Sequence, residues 1–554
     1  MKSYILPFLF ILALGCTSQT NPVSAPLDAP FIWENANIYF LLTDRFSNGE
    51  PENDINFNRT EECAVNRGFQ GGDLAGVTEK IEEGYFNDLG ITAIWMTPFV
   101  EQVHGLVDEG TGPTYGYHGY WAKDWTSLDP NFGTEEELAQ LIETAHQHGI
   151  RIVMDVVINH TGPVTESDPA WNPEWVRLTP TCEHYSYKTT VPCTLVKNLP
   201  DIKTDSNEEV ELPDELLKKW EKEGRLEQEV EELDTFFELT GYPRTPTYYL
   251  IKWLTDYVRK YGIDAYRLDT AKHVEEDVWA KLRKEADRAY SEWKAEHPDK
   301  VLSDNKFFMF GEVYNYGIST GKMYNFGDTL VNFYEYGING LINFEFRTDV
   351  GKPYEEIFSK YSDILNGELS GNTVINYVCS HDDEWSHDRM RKNPIETATK
   401  LLLCPGITQI YYGDETSRIL EAEGAMGDAH LRSFMNWEEL DANSEVSGHK
   451  VKDVLLHWQK MGKFRAHHPS VGAGIHTMLS ASPYIFKREF TSGDYTDKVV
   501  VGLALPSGSK IIPVEHEFED GTTIFDSYSG ESATVSGGKV TLDTEFDIVL
   551  LAAI

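Results

Sequence analysis

Carboxylates and histidines recur at the ends of four apolar, β-branched runs of this 554-residue chain. The four segments span residues 155–160, 266–273, 310–313 and 377–382. In a parallel barrel, functional side chains lie where strands end and loops begin, and all of them face the same end of the barrel. The pattern therefore predicts an active site that is assembled from several strands.

Three of these carboxylates suit chemistry on an acetal, which needs one ionised carboxylate at the anomeric carbon and one protonated carboxyl for the leaving oxygen. Asp269 lies two residues after Arg267 on the same face of a strand, and a nearby guanidinium lowers a carboxylate's pKa. Glu312 follows the apolar run 307–310, where loss of solvation raises the pKa. Asp269 therefore suits a nucleophile and Glu312 an acid, and Asp382 could bind sugar hydroxyls or shape the ring.

Eight β-rich runs, separated by amphipathic helical stretches, position these residues. The β-rich runs are 38–43, 91–97, 150–157, 263–268, 307–310, 341–346, 373–378 and 407–412. The helical stretches include 135–148, 247–260 and 275–294. Eight alternations of strand and helix favour a closed parallel barrel over an open sheet.

Two regions depart from the alternation. Residues 161–246 are far longer than an ordinary loop between strand and helix, and they include a highly charged helical stretch at 213–233. After the helix predicted at 451–467, short alternating strands with Gly-rich turns predict an antiparallel β-sandwich.

The predicted architecture is thus of the α/β class, a (β/α)8 TIM barrel with a long insertion after strand 3 and a C-terminal antiparallel β-sandwich. Its parts are the barrel over 31–160 and 247–466, an inserted domain B over 161–246, and the sandwich over 467–554.

The first sixteen residues have the anatomy of a signal peptide: Lys2, an apolar run over 4–14, and a Leu-Gly-Cys ending. The ending resembles a bacterial lipobox, which predicts a lipidated Cys16 followed by a tether over 17–30. An ordinary secretory signal, in which Cys16 is incidental, is the alternative. Both kinds of signal predict an extracytoplasmic protein. Only the lipoprotein signal also anchors the protein to a membrane, through the lipid.

Secretion permits disulfides, and Cys182 and Cys193, which enclose a short loop, are the predicted pair. Cys379 and Cys404 lie in apolar runs and are predicted to be core residues, whereas Cys63 has no evident partner.

The formal net charge of −42 argues against nucleic acid or an anionic membrane surface as a partner, because both would repel the chain. Neutral or cationic ligands remain. With 13 Trp, 28 Tyr and 27 Phe, the chain can fill a large core and still offer aromatic surfaces to a flat ligand. We expect a monomer.

In order and spacing, the four segments resemble the four conserved regions of the alpha-amylase family, family 13 of the glycoside hydrolases. Segments 90–98, 117–121, 199–201 and 406–415 also match, so the resemblance covers about residues 31–554. It implies retaining hydrolysis of α-1,4 bonds in starch and maltooligosaccharides. It also implies that Asp269 is the nucleophile, Glu312 the general acid/base and Asp382 the stabiliser of the distorted sugar.

The same resemblance implies a set of residues that bind the substrate, with Tyr120 stacking on the reacting glucose and Lys272 contacting a sugar on the leaving side. The set is His118, Tyr120, His160, Arg267, Lys272 and His381.

The resemblance also implies bound calcium. Asn159, Asp201 and the backbone carbonyl of His273 match a site between barrel and insertion, and oxygen ligands of this kind suit Ca²⁺. A second group resembles the extra calcium loop of cyclodextrin glucanotransferases and related amylases. Its members are Asn48, Glu50, Asn53, Asp54, Gly71 and Asp73.

Alternatives remain within the family: a cyclomaltodextrinase or glucanotransferase, and an α-glucosidase. Lys272-His273 resembles alpha-amylases, and the context at 311–314 together with the cysteine-containing insertion resembles periplasmic alpha-amylases of Gram-negative bacteria. Glucanotransferases normally carry further C-terminal domains, for which the roughly ninety residues after His467 leave no room, and this favours hydrolysis. A non-catalytic glucan-binding lipoprotein is the alternative of another class, but it should lack one of the three carboxylates.

Overall fold

The computed structural model describes residues 29–554. The predicted signal peptide with Cys16, and the tether up to residue 28, lie outside the described residues. Within 29–554, no helix combines the length and the apolar character needed to cross a membrane.

Eight parallel strands close into a barrel, in which neighbours in sequence are neighbours in space and β8 pairs with β1. They are β1 (Asn37–Leu41), β2 (Ala93–Met96), β3 (Arg151–Val156), β4 (Ala265–Leu268), β5 (Phe308–Gly311), β6 (Gly340–Asn343), β7 (Thr373–Asn376) and β8 (Ile407–Tyr411). Each overlaps one of the predicted β-rich runs, so the barrel prediction is confirmed. The strands are continuous apolar runs because helices cover their outer faces and side chains fill the interior.

Helices form the outer layer of the barrel. The longer ones are Leu74–Glu82, Glu135–Gln147, Pro246–Tyr261, Glu276–Glu296, Tyr354–Asn366, Pro394–Leu403 and Val451–His467. Shorter helices are Thr43–Phe46, Tyr85–Asp88, Phe346–Asp349, Trp437–Asp441 and Pro469–Ala473. Local sequence sets their limits: Thr134 and Glu137 form a reciprocal capping box before Glu135–Gln147, and Gly262 ends Pro246–Tyr261 in the left-handed conformation.

The charged stretch of the insertion is helical, as its sequence predicts. It forms two helices, Asp214–Glu223 and Leu226–Thr240, because Gly224 takes a left-handed conformation (φ 74°) that ends the first. Trp220 is buried and its indole lies edge-on to Trp253 of a barrel helix. One face of this charged segment is therefore core.

The predicted disulfide between Cys182 and Cys193 is present in the insertion, and its Cα atoms are 5.8 Å apart. Cys379 and Cys404 are buried, as predicted, and Cys63 is a partly exposed free thiol.

The C-terminal region is the predicted antiparallel β-sandwich. Its strands are β9 (Ile475–Ala481), β10 (Tyr484–Ser492), β11 (Tyr495–Leu503), β12 (Gly508–Pro513), β13 (Thr523–Asp526), β14 (Ser532–Thr534), β15 (Lys539–Thr544) and β16 (Val549–Ala553). One sheet has the order β9-β10-β11-β16-β13-β14, and β12 pairs with β15. Alternate side chains such as Val500, Ile512, Val540 and Leu551 form a common core between them.

Two buried arginines lie where the sandwich meets the barrel, and one of them, Arg488, connects the two. Arg465 donates to the carbonyl oxygens of Leu402 (3.1 Å) and Cys404 (2.9 Å), and Arg488 of β10 donates to those of Leu403 and Val471. Within residues 29–554, neither arginine contacts a carboxylate. Their positive charge meets the unpaired carbonyl groups at the C-terminal end of Pro394–Leu403, where the helix dipole is negative. Burial lowers the pKa of Arg465 to about 9.

Candidate active site

Arg267, near the carboxyl end of β4, joins the candidate catalytic carboxylates. Its Nη1 lies 2.7 Å from Asp269 Oδ1 and 2.9 Å from Asp155 Oδ1, and its Nη2 lies 2.8 Å from Glu312 Oε2. All four side chains are buried. The ends of β3, β4 and β5 thus bring together Asp269 and Glu312, which lie far apart in sequence.

Asp155 belongs to the first of the four sequence segments, but no role is predicted for it. Its Oδ2 accepts hydrogen bonds from Trp95 Nε1 (3.0 Å) and from the Tyr120 hydroxyl (2.7 Å). Burial raises the pKa of Asp155, and Arg267 opposes that rise. Asp155 therefore orients both Arg267 and Tyr120. A carboxylate inside an otherwise apolar strand is the signal that could have identified it.

Glu312 lies in an environment that favours its protonated form. Burial raises the pKa of Glu312 to about 8, against the lowering effect of Arg267; the nearby carboxylates of Asp382 and Asp269 raise it as well. The backbone N–H of Thr270 donates to Glu312 Oε2 at 3.0 Å. A carboxyl that keeps its proton at neutral pH can act as a general acid.

Thr270, directly after Asp269, has an unusual backbone. Its φ of 44° places a β-branched residue in the left-handed region, where such residues are rare. In this conformation its N–H points to Glu312, and its hydroxyl donates to Asp269 Oδ2 at 3.1 Å. One strained residue thus contacts both candidate catalytic carboxylates, as strained residues at functional sites often do.

Asp382 is the most open of the three candidate catalytic residues. It lies in the loop after β7 with 43% of its side chain exposed, and it accepts a hydrogen bond from Ser380 Oγ at 3.2 Å. It does not contact Arg267, but its charge acts on Glu312. An accessible carboxylate can accept hydrogen bonds from sugar hydroxyls.

Each of the three predicted histidines contacts Tyr120, through its ring or its backbone. His381 stacks on that ring with centroids 5.1 Å apart, His160 Nε2 lies 3.2 Å from the Tyr120 carbonyl oxygen, and His118 Nδ1 accepts from the Tyr120 N–H at 3.1 Å. Burial lowers the pKa of each of the three histidines. Neutral imidazoles of this kind can both donate and accept hydrogen bonds.

Lys272 lies at the rim of the site, with its Nζ 5.1 Å from the centroid of the Tyr314 ring. Burial lowers the pKa of Lys272, and the negative charge of Glu312 acts in the opposite direction. Two exposed aromatic residues, Tyr314 and Trp385, follow Glu312 and Asp382 in their loops, and Trp385 is 76% exposed. Neither is predicted by the motifs. Large exposed rings beside a catalytic loop suit stacking on sugars.

The residues predicted for the first calcium site fit a cation. Ile202 N–H donates to the Asn159 carbonyl oxygen at 2.8 Å, which places Asn159 beside Asp201. Asn159 Oδ1 is buried with no hydrogen-bond partner in the described chain. Burial raises the pKa of Asp201 to about 8, although Arg177 Nε lies 3.0 Å away. A buried amide oxygen and a poorly compensated carboxylate suit a hard cation. His273, whose carbonyl is the third predicted ligand, is buried.

The second predicted group also contains unpaired oxygens. Asn48 Oδ1 and Asn53 Oδ1 are buried without a partner in the described residues, and Asn48 Nδ2 donates to Asp54 Oδ1 at 2.8 Å. Gly71 closes this loop: its φ is 90°, and a Cβ there would lie 2.5 Å from Asp54 Oδ1. Two unpaired amide oxygens therefore remain for a cation, beside the carboxylate of Asp54.

Asp73 and Glu50 have other surroundings. The carboxylate of Asp73 caps Leu74–Glu82 by accepting from Gly76 N–H at 2.7 Å, and it also accepts from Gly49 and Glu50 N–H groups. The Glu50 side chain is exposed. In residues 29–554, no three His, Cys, Asp or Glu side chains are grouped as a metal site, so a cation at either place would depend on amide and carbonyl oxygens as well.

Comparison with known proteins gives consistent matches. A family model described as the alpha-amylase catalytic domain matches residues 40–460. The periplasmic alpha-amylase of Escherichia coli K12 is 35% identical over 533 residues, which cover 85% of this chain and 72% of that protein. The cyclomaltodextrin glucanotransferase of Thermoanaerobacterium thermosulfurigenes is 24% identical over 510 residues, covering 88% of this chain and 63% of that enzyme. The chain thus spans less than two thirds of that glucanotransferase.

Solved structures share the whole fold. An Anoxybacillus alpha-amylase superposes with a TM-score of 0.64 at 23% identity, over 94% of this chain and 99% of that one. CldA, described as a cyclomaltodextrin glucanotransferase with a three-domain ABC distribution, superposes with a TM-score of 0.60 at 20% identity, over 94% and 97%.

Proposed function

The chain belongs to the alpha-amylase family of glycoside hydrolases, and on that premise we propose that it is a retaining alpha-amylase that cleaves α-1,4 bonds in starch and maltooligosaccharides. The observation that carries the proposal is the pair of carboxylates on Arg267: Asp269 on one terminal nitrogen and Glu312 on the other. Carboxylates that contact one guanidinium lie close together, which favours the double-displacement route of retaining enzymes over an inverting one.

In this mechanism Asp269 attacks the anomeric carbon while Glu312 donates its proton to the leaving oxygen. The glycosyl–enzyme bond to Asp269 is then broken by water, which gives a proton back to Glu312. Arg267 forms an ion pair with the attacking carboxylate of Asp269, and burial keeps Glu312 protonated at the start of the cycle. The Tyr120 ring supports the C–H face of the reacting sugar. The carboxylate of Asp382 accepts hydrogen bonds from the hydroxyl groups of that sugar.

Chain-length dependence tests the proposal. We expect kcat/KM to rise steeply from maltose to maltopentaose or longer, with cleavage at internal bonds, because remote subsites orient the bond that breaks. Lys272→Ala should flatten this rise more than it affects an activated aryl glycoside, since Lys272 lies at the rim beside Tyr314. Kinetics on a maltooligosaccharide series, with product chromatography, measure both effects; Lys450→Ala on the surface is the matched control.

The outcome also separates the alternatives. Best activity on maltose with release of single glucose units would identify an α-glucosidase. A glucanotransferase remains the second candidate, because glucanotransferases are among the relatives of this chain. CldA, moreover, is described as a glucanotransferase although it has only three domains. The length of the sequence after His467 therefore does not decide between hydrolysis and transfer. Cyclic products, or products longer than a maltoheptaose substrate, would support transfer. A failure to release reducing ends from starch would support a glucan-binding protein.

We also propose calcium at the two oxygen clusters, with Asn159, Asp201 and the His273 carbonyl holding one ion and Asn48, Asn53 and Asp54 contributing to a second. The unpaired buried oxygens of Asn159, Asn48 and Asn53 support this. Bound there, the ions would fix the insertion and the loop after β1 to the barrel.

Removal of calcium should lower the thermal midpoint, because an ion that binds only the folded protein at a hundred times its Kd adds about 2.7 kcal/mol of stability. Unfolding followed by circular dichroism with EDTA and with added Ca²⁺ measures the shift. Asp201→Asn should lower the midpoint and reduce its sensitivity to EDTA, whereas Asp205→Asn, an exposed neighbour, should keep that sensitivity. An unchanged midpoint in protein shown by metal analysis to be calcium-free would refute structural calcium.

The similarity to a periplasmic enzyme supports an extracytoplasmic location, and we propose that a lipid on Cys16 anchors the protein there. Several acyl chains give stable membrane attachment, whereas a single chain does not. Cys16→Ser should therefore move the protein from the membrane fraction to the soluble fraction in cell fractionation. Equal membrane retention of this variant would contradict lipidation.

A further inference from the structure

A cavity of about 570 Å³ lies apart from the carboxylate cluster. Its walls come from the loop after β1, the loop after β2, the start of the insertion and the helix Asp214–Glu223. None of the predicted catalytic or substrate-binding residues lines it. Its volume is within the range of about 300–1,000 Å³ that is typical of small-molecule sites.

An aromatic platform forms one wall of this cavity. The ring of Phe57 stacks on the imidazole of His104, with centroids 3.8 Å apart and planes 13° from parallel, and Phe57 remains 37% exposed. His104 is held in place by Glu101 Oε1, 2.9 Å from its Nε2. A ring that is supported on one side and open elsewhere is suited to stack on the C–H face of a sugar.

The platform is held rigidly. Phe57 and Asn58 have φ angles of 52° and 57°, and left-handed conformations are rare for bulky residues. The surroundings enforce them: Asn131 Nδ2 donates to the Asp54 carbonyl at 2.7 Å, and Arg59 forms a buried ion pair with Asp129 at 2.8 Å. Backbone strain that the surroundings maintain is typical of ligand sites. A fixed ring also loses little entropy on binding.

The polar side chains of the cavity indicate an uncharged ligand. Lys123 is paired with Asp168, and Lys219 Nζ lies 2.8 Å from both Glu101 and Asp124. Lys218, which also lines the cavity, is paired with Glu215, whereas Lys222 has no ion-pair partner in residues 29–554. Five carboxylates lie in or directly behind the wall against four lysines, so no excess positive charge remains to attract an anion; they are Glu101, Asp124, Asp168, Glu215 and Glu223. The net charge of −42 disfavours anions further. Paired donors and acceptors at the rim suit the hydroxyl groups of a neutral polyol.

We propose that this cavity is a non-catalytic binding site for a segment of α-glucan, with Phe57 as its stacking platform. The ligand class rests on the proposed function. Thr161 and Gly162 of the cavity wall directly follow His160 of the active site, so one polymer can occupy both places. Binding at a second point raises the effective concentration of polymer at the catalytic site, and a short substrate gains nothing from it.

Binding stoichiometry tests this directly. In an Asp269→Asn background, which silences turnover, calorimetric titration with maltoheptaose should show two sites. Adding Phe57→Ala should leave one, whereas Phe57→Tyr should keep two. Phe546→Ala, which removes a phenyl ring of similar exposure (42%) from the sandwich, should also keep two. Ser167→Trp, which fills the cavity from the insertion side without altering Phe57, should leave one.

Kinetics provide the second readout. In the otherwise unmodified enzyme, Phe57→Ala should raise the half-saturating concentration of soluble starch by about tenfold. It should leave kcat/KM for maltotetraose unchanged. An unchanged stoichiometry in both Phe57→Ala and Ser167→Trp, in an enzyme that hydrolyses starch, would overturn the second site alone. A parent enzyme that does not act on starch would instead overturn the proposed function.

Discussion

Asp269→Asn is expected to lower kcat on starch by at least about 10³-fold while substrate binding is preserved, because the covalent route through the carboxylate is lost. The amide has nearly the same shape, and Arg267 retains two of its carboxylate partners, Asp155 and Glu312. The fold should therefore persist. Reducing-end release from soluble starch measures the loss, and calorimetry with maltoheptaose measures the retained affinity.

Asp494→Asn, a substitution in an exposed turn of the sandwich, is the matched control and should behave as the parent does. Near-parental turnover in Asp269→Asn would show that the nucleophile is another residue. A collapse of the thermal midpoint would show that Asp269 acts mainly as the ionic partner of Arg267.

The pH profile should reflect the environment of Glu312. Its pKa is raised to about 8, first through burial, so the acid form dominates below that pH and is lost as the pH rises through it. We therefore expect kcat/KM to hold through neutral pH and to fall on the alkaline side. Glu312→Gln, which has no proton to donate, should lower turnover of starch by about 10²- to 10⁴-fold and abolish this alkaline limb.

The leaving group provides the internal control for this substitution. A fluoride or nitrophenyl leaving group needs little protonation, so Glu312→Gln should reduce glycosyl transfer to the enzyme from such substrates far less than from starch. Equal losses on both kinds of substrate would indicate a structural defect rather than the loss of an acid. An alkaline limb that persists unchanged in the variant would assign it to another group.

The barrel could be predicted because its strands are buried on both faces and therefore read as continuous apolar runs. The candidate site could be predicted because its charged residues interrupt those runs at their ends. Asp155 lies at such an end too, but its contacts with Arg267 and Tyr120 arise only when neighbouring strands pair.

Other features depend on contacts that the sequence does not reveal. The sequence of 213–233 predicts a charged helical stretch, but the contact of Trp220 with Trp253 depends on how the insertion folds back onto the barrel. The exposure of Trp385 and the stacking of Phe57 on His104 likewise depend on loop conformation. For Asp73, by contrast, the resemblance of its segment to a calcium loop predicts a metal ligand, but the side chain caps the helix that begins at the next residue.

The arginine junction described above bears on how this protein could be recombined with others. Arg488 is contributed by the sandwich, and one of the carbonyl groups that it satisfies, that of Leu403, belongs to a barrel helix. The other belongs to Val471 of the short helix Pro469–Ala473. A chain cut between the two modules would leave the Leu403 carbonyl without this donor and would open the end of a core helix to water. The barrel and the sandwich, which the sequence suggests are separate domains, therefore share part of their packing at this boundary. A chimera would need to exchange Arg465, Arg488 and the end of the helix Pro394–Leu403 as a set.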